Sequence, residues 1–265
     1  MLRALHRLFL TLSVLAVAAP PLVLPAAAQS SMPQDAATRN AGQLSAVIEL
    51  FTSQGCSSCP PADRLLASSL ARKPDVIALT LAVDYWDYLG WKDTFGSAKN
   101  SQRQRAYAAT RGDGLVYTPQ VVVNGQVHAN GANPIAVKAA IDQTVADFQA
   151  RAVPVRGWSE GSNLVIEAGA ANNPSAGVGE ATIWLAVVQK EGHASPGRGE
   201  NRGHDLVYVN IVRELTPVGM WNGAPKTIKI ARNSVMTKDT ENCVIILQSG
   251  TTGPILGAAW LKPKP

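Results

Sequence analysis

Short apolar runs alternate with helix-compatible stretches over the first half of the chain, and short apolar runs alone fill the second half. Ala46 to Phe51 is almost continuously apolar and rich in strand formers, as a buried central strand requires. Gly55 to Pro61 breaks it. Ala62 to Leu70 follows with helical composition, placing Leu65, Leu66 and Leu70 on one face. Val76 to Val83 is the next strand, and a strand regained after a helical crossover predicts parallel pairing. Asp84 to Trp91 is an aromatic loop, and Gly96 to Thr110 is helix-permissive without an apolar stripe. Gln120 to Val123 and Gln126 to Ala129 flank Asn124-Gly125. That pair marks a hairpin, because a type I′ turn needs positive φ at both positions. Asn133 as cap and Pro134 in the first turn open a helix that runs to about Ala150.

After Arg151-Ala152-Val153-Pro154 the helical patterns stop. Strand-like runs cover Val155 to Trp158, Leu164 to Ala168, Thr182 to Gln189, Leu206 to Arg213, Lys226 to Ile230, Val244 to Gln248 and Ile255 to Leu261. Asn172 to Gly179 and Glu191 to Gly203 read as long loops. Strands separated by turn residues predict an antiparallel sandwich or open barrel.

The first 28 residues read as a secretory signal. Arg3, His6 and Arg7 precede an apolar run, and Ala26-Ala27-Ala28 offers a small-residue cleavage site. Pro20, Pro21 and Pro25 oppose a spanning helix. The unbroken stretch Leu8 to Ala19 is also shorter than the ~20 residues a bilayer needs. The expected organisation is a signal peptide over 1–28, a polar leader over 29–43, an α/β domain over 44–152 and a β-rich domain over 153–265. No membrane span is expected in the mature chain. Export to the periplasm or beyond means an oxidising compartment in which cysteines can pair.

Composition narrows the partners. The chain carries 24 basic and 19 acidic residues, a net +5 that falls to about +3 without Arg3 and Arg7. No Lys/Arg stripe is present, so nucleic acid is not an expected partner. Phosphate loops, nucleophile elbows and dinucleotide fingerprints are absent, and no cofactor is expected. His128, His193 and His204 lack metal-ligand spacing to one another or to the cysteines, so no metal site is assigned.

The candidate chemistry lies in Cys56-Ser57-Ser58-Cys59. Strand, Cys-x-x-Cys, helix, strand, Thr-Pro, hairpin and helix in that order resemble the thioredoxin fold. The fold class expected is therefore a thioredoxin-like α/β domain followed by an antiparallel, sandwich-like β domain. A thiol attacks as its thiolate, so its pKa must fall below the ~8.5 of free cysteine. A helix N-terminus at Cys56 would lower it. Pro60-Pro61 could instead start the helix one turn later and leave Cys56 outside the dipole. Cys56 is then the nucleophile and Cys59 the resolving thiol, in exchange with protein or peptide thiols and disulfides. Thr118-Pro119 would be a cis peptide that docks an extended substrate strand. Such an activity would make the protein an oxidoreductase with a redox-active centre; it needs one reachable sulfur, and burial of both sulfurs beneath side chains would tell against it.

Glu49, seven residues before Cys56, could relay the resolving thiol's proton; a salt-bridged strand acid is the plainer reading. Tyr85 and Trp86, with Tyr88 and Trp91, form either an apolar docking surface or ordinary packing. Arg103 and Arg105 read as solvated helix charges. Cys243 reads as a buried small hydrophobe, or more sharply as a third thiol that takes over the disulfide. Two other functions stay open: a secreted binding module in which Cys56–Cys59 is only a staple, and a carrier of copper or zinc on the two thiolates.

The motif Glu49-Leu50-Phe51-Thr52-Ser53-Gln54-Gly55-Cys56-Ser57-Ser58-Cys59-Pro60-Pro61-Ala62-Asp63 resembles the signature of a secreted bacterial family, the domain of unknown function 1223. Val83 to Asp93, Arg103-Gln104-Arg105-x-Tyr107 and Tyr117-Thr118-Pro119-Gln120 before Val123-Asn124-Gly125 are similar to it too. So are Gly199-Glu200-Asn201 and Asn210 to Leu215. The resemblance implies a thioredoxin-like domain with a β-rich extension in an exported protein, and no assigned substrate.

Overall fold

A computed structural model describes residues 44–171, 179–236 and 242–262. The expected signal peptide, the leader and most of the Asn172 to Gly179 loop lie outside the described residues.

The first half folds as β1 (Ala46–Thr52), α1 (Pro60–Ser68), β2 (Val76–Ala82), α2 (Ala98–Arg111), β3 (Gln120–Val123), β4 (Val127–Asn130) and α3 (Pro134–Ala150). Asn124 and Gly125 both take positive φ, as the hairpin requires. The Asn133 side chain caps α3 by accepting from the amides of Ile135 and Ala136. The second half contributes β5 (Val155–Glu160), β6 (Asn163–Ala168), β7 (Ala181–Ala194), β8 (Leu206–Trp221), β9 (Lys226–Ala231), β10 (Asn242–Ser249) and β11 (Ile255–Trp260).

How these strands pair overturns the expected fold class. One eight-stranded mixed sheet runs β11-β10-β7-β8-β2-β1-β3-β4, and a three-stranded sheet runs β5-β6-β9. Strand outweighs helix among the described residues, which carry three α-helices. The protein is therefore not a thioredoxin-like α/β domain trailed by its own sandwich. β2 is buried along its whole length, so it needs a neighbour on both edges. It finds β1 on one side and β8 on the other. At the β2–β8 seam Thr80 pairs with Ile211, Thr80 Oγ1 donates to the Val209 carbonyl at 2.7 Å, and Asn210 Nδ2 donates to the Ala78 carbonyl at 2.9 Å. Apolar runs reveal strands but not partners across more than a hundred residues.

β7 and β8 also exceed the expected lengths, running 14 and 16 residues. The pattern hid this because Gly192, Pro217 and Gly219 interrupt it. Register shifts near Trp184 and Val188 accommodate the irregularity, with Pro217 opposite Trp184 at the first.

β1 sorts its side chains by alternation. Val47 and Phe51 join the core shared with Tyr107 of α2, while Ala46, Ile48 and Leu50 join the core shared with Ala62 and Leu66 of α1. α2 lacks an apolar stripe because its buried face is polar, carrying Asn100, Ser101, Arg103 and Gln104 beside Tyr107. The three-stranded sheet covers Ile183, Leu185, Ile245 and Leu247 of the large sheet. Gly157 permits that approach, since a Cβ there would lie 2.3 Å from Ile245 Cδ1. No helix among the described residues is long and apolar enough to cross a membrane.

Candidate functional site

β1 ends at Thr52, and the chain turns through Ser53 to Cys59 before α1. Amides of Cys56 and Cys59 donate to the carbonyls of Ser53 and Cys56, coiling the segment so that the two cysteines meet. They form a disulfide with their Cα atoms 5.4 Å apart. α1 begins at Pro60, so the later of the two possible helix starts is the one adopted. Cys59 is the N-cap, and Cys56 sits a turn outside. Proline has no amide hydrogen, and the first two free donors, from Ala62 and Asp63, both go to the Cys59 carbonyl. The helix end thus directs little hydrogen bonding toward Cys56. Its nearest polar partner is the Ser58 hydroxyl, 3.4 Å from the sulfur.

Three segments close over the pair. The Asn201 side chain donates to the carbonyls of Gln54 and Cys56, each at 2.9 Å. A Glu200 carboxylate oxygen accepts from the Ser57 amide at 3.2 Å. Trp86 packs on Gly55, where an added Cβ would approach the Trp86 Cβ to 2.9 Å. The Trp86 indole N–H donates to Thr118 Oγ1 at 2.8 Å, and the Ser58 hydroxyl points at the Thr118 carbonyl from 3.5 Å. The Thr118–Pro119 peptide is cis. Cys56 is left 2% exposed and Cys59 0%, while Ser57 and Ser58 between them face solvent.

The structure therefore gathers Cys56, Cys59, Trp86, Thr118 and Pro119 at one place. Tyr85 stands beside them, its hydroxyl donating to Gln104 at 3.2 Å and its own ionisation pushed up by burial. Tyr88 stacks on Trp86 and is 76% exposed; Leu115 and Val116, just before Tyr117, are exposed as well.

Glu49 is not brought to this group. Alternation along β1 points it toward α2, on the sheet face opposite α1. Arg103 grips it through Nε at 2.6 Å and Nη2 at 3.0 Å, and the Tyr107 hydroxyl donates to the same carboxylate. Gln248 of β10 closes the network by accepting from Arg103 at 3.0 Å and donating to Tyr107 at 2.9 Å. Arg103, expected as a solvated charge, is 7% exposed. Arg105 lies over the Tyr85 ring at 6.0 Å. Cys243 is buried beneath the three-stranded sheet, and burial pushes its thiol up to about 11. Among the described residues no group of three or more His, Cys, Asp or Glu could hold a metal ion.

The acid that sequence reading passed over is Asp63. It is 6% exposed, in the first turn of α1, and burial together with the charge of Asp93 raises its carboxyl to about 8. Asp93 is raised too, again by burial, although it accepts from the amides of Gln54 and Phe95, each at 2.8 Å. Leu66 sits on the buried side of α1 with Ala62, Leu70 is buried in the 3-10 turn after the helix ends at Ser68, and Leu65 is half-buried. A usable signal was present: Asp63 follows Cys59 by four residues and lies next to Ala62 on the same buried side.

A crystal structure of an Agrobacterium tumefaciens protein is similar at 36% identity and a TM-score of 0.71, over 82% of this chain and 94% of that one. HBP35 of Porphyromonas gingivalis is similar at 16% identity and a TM-score of 0.55, over 81% and 74% of the two chains, which shows a shared fold alone. No curated protein matches. Neither similarity assigns an activity. The expected oxidoreductase with a redox-active centre drew its support from a thioredoxin-like topology, which the eight-stranded sheet replaces, so neither the fold nor the comparisons support those words. With residues 47–248 matched, the chain belongs to the family described as protein of unknown function (DUF1223).

Proposed function

We propose that the protein exchanges disulfides with protein or peptide thiols through Cys56 and Cys59, in the oxidising compartment that its signal-like leader implies. The observation that carries the reading is local and independent of fold class. A disulfide of short sequence separation carries two exposed serines between its sulfurs, Ser58 faces the Thr118 carbonyl, and Trp86, bonded to Thr118, carries the exposed Tyr88 stacked on it. That aromatic fringe suits a peptide approaching the Cys loop. Cys56 is the proposed nucleophile because Cys59 is the deeper of the two.

Reach is the condition. Burial of both cysteines tells against the reading in the closed arrangement, so exchange depends on an opening, and the Glu200-Asn201 segment bonded to the Cys loop is the proposed mover. Three hydrogen bonds hold it, two from Asn201 and one to Glu200. At ~1 kcal/mol net for each, the open form would be on the order of one per cent of the population.

The same burial favours a second reading, in which Cys56–Cys59 is a structural staple and the aromatic fringe grips a partner without chemistry. Mixed-disulfide trapping separates the two. A Cys59→Ser variant should accumulate a covalent adduct with a reduced, then activated, peptide thiol, and Cys56→Ser should abolish turnover of a peptide disulfide. A wild-type disulfide that neither forms adducts nor turns over leaves the staple as the surviving reading.

A further inference from the structure

Neither carboxyl oxygen of Asp63 has a hydrogen-bond partner among the described residues, and the same holds for Thr52 Oγ1 and the Tyr208 hydroxyl. Thr52 Oγ1 lies against the Asp63 carboxyl, near enough to favour its charged form but short of a formed hydrogen bond, and Tyr208 is close enough to feel the charges of Asp63 and Asp93. Buried polar atoms are nearly always bonded, so several orphans in one patch ask for a purpose.

Geometry relates this patch to the disulfide. Cys59 has helical dihedrals, φ −79° and ψ −37°, and the Asp63 amide donates to the Cys59 carbonyl at 3.1 Å. One complete helical turn therefore separates them, and residues four apart on a helix face are neighbours, with Cβ atoms about 5–6 Å apart. Both side chains are buried. Alternation along β1 places Thr52 on this side of the sheet and Glu49 on the other.

We infer that Asp63 is the proton donor and acceptor for the Cys59 sulfur. The inference rests on the exchange reading above. In the oxidising direction a thiolate of a substrate dithiol attacks Cys56 Sγ. The bond from the substrate sulfur to Cys56 forms, the Cys56–Cys59 bond breaks, and its electron pair leaves on Cys59. A thiolate stranded in this dry pocket is costly, so the Asp63 proton moves to it and leaves a carboxylate. The second substrate thiolate then attacks the first substrate sulfur and releases Cys56 as thiolate, which takes a proton from water. The substrate loses two electrons and the protein disulfide gains them. In reverse, the Asp63 carboxylate removes the Cys59 proton. Near neutral pH the carboxyl is held mostly protonated, as a donor must be. Asp63 also borders a cavity of about 450 Å³ with Arg64, Arg72, Glu191 and Asp205, while its carboxyl oxygens are themselves covered. The charged and titratable groups facing it are Asp93, Arg64 and Tyr208, with the cavity's Arg72, Glu191 and Asp205 farther out.

The test is stopped-flow reduction of the full chain by dithiothreitol across pH, with rates divided by thiolate concentration. The wild-type rate should fall at least about tenfold as pH rises through 8, the value to which burial raises Asp63. Asp63→Asn should be slow by that factor at neutral pH and flat across the range, and Asp63→Glu should restore part of the profile. A wild-type rate and profile in Asp63→Asn overturns the role of Asp63 while leaving exchange intact. A wild-type disulfide that no dithiol reduces overturns the exchange reading itself. Should Asp63→Asn fail to fold, infrared titration of the wild-type carboxyl decides: its midpoint should move between the oxidised and reduced proteins, and identical titrations refute the inference.

Discussion

The indole N–H of Trp86 donates to the hydroxyl of Thr118 at 2.8 Å, pinning the aromatic turn after β2 to the residue before the cis proline. The turn thereby forms one wall around Gly55 and the disulfide. Trp86→Phe keeps most of the packing and deletes the donor. Stability should fall by about 1 kcal/mol in denaturant titration, and Tyr88 should lose the order of its stacking partner. An unchanged midpoint would mean that packing on Gly55 alone seats the turn.

Asn201 is the main clasp over the cysteines, since both of its bonds go to carbonyls of the Cys loop. Asn201→Ala should speed reduction of the disulfide by dithiothreitol about tenfold or more, as expected from losing ~1 kcal/mol for each bond. Equal rates in the variant and the wild type would show that another segment sets access.

The Glu49–Arg103 pair ties β1 to α2, and through Gln248 to β10. Arg103→Ala leaves a carboxylate buried without its cation and should cost about 3–5 kcal/mol. Adding Glu49→Gln should recover part of that loss, because the stranded charge is then gone. Thermal unfolding of the two single variants and the double variant measures the coupling. Exchange activity, where the fold survives, should be spared, since the pair lies across the sheet from α1.

The Asp63 carboxyl is raised in the folded chain from an ordinary value of 3.8 to about 8. The folded state therefore holds a proton that the unfolded state has lost between those limits. The sign follows: its contribution is fully present below about pH 4 and drains away as pH rises toward 8. Stability should decline over that window by on the order of 1 kcal/mol per pH unit from this group. Urea titrations at several pH values should show the decline in wild type and a shallower one in Asp63→Asn. Parallel pH profiles would remove Asp63 as the source.

The chain by itself determined most of the elements and little of their assembly. Apolar runs and caps located β1, β2, the Asn124-Gly125 hairpin and α3, because strand burial, positive φ and side-chain capping are local demands. The Cys56–Cys59 spacing and the Thr118-Pro119 pair likewise marked the candidate site. Tertiary structure decided the rest. Strand pairing is a choice among distant partners, so nothing near Val76–Ala82 announced that β8 would lie against it. Burial of a charge is also settled by what packs on it. Arg103 sits on a polar helix and was read as solvated, yet Glu49, Tyr107 and Gln248 converge to enclose it. Asp63 follows Pro60-Pro61-Ala62 in a first turn that gives no local sign of burial, yet Thr52, Tyr208 and Asp93 close around it. The clasp on the Cys loop was settled in the same way: Asn201, on a loop 145 positions away, folds back to donate to the Cys56 carbonyl.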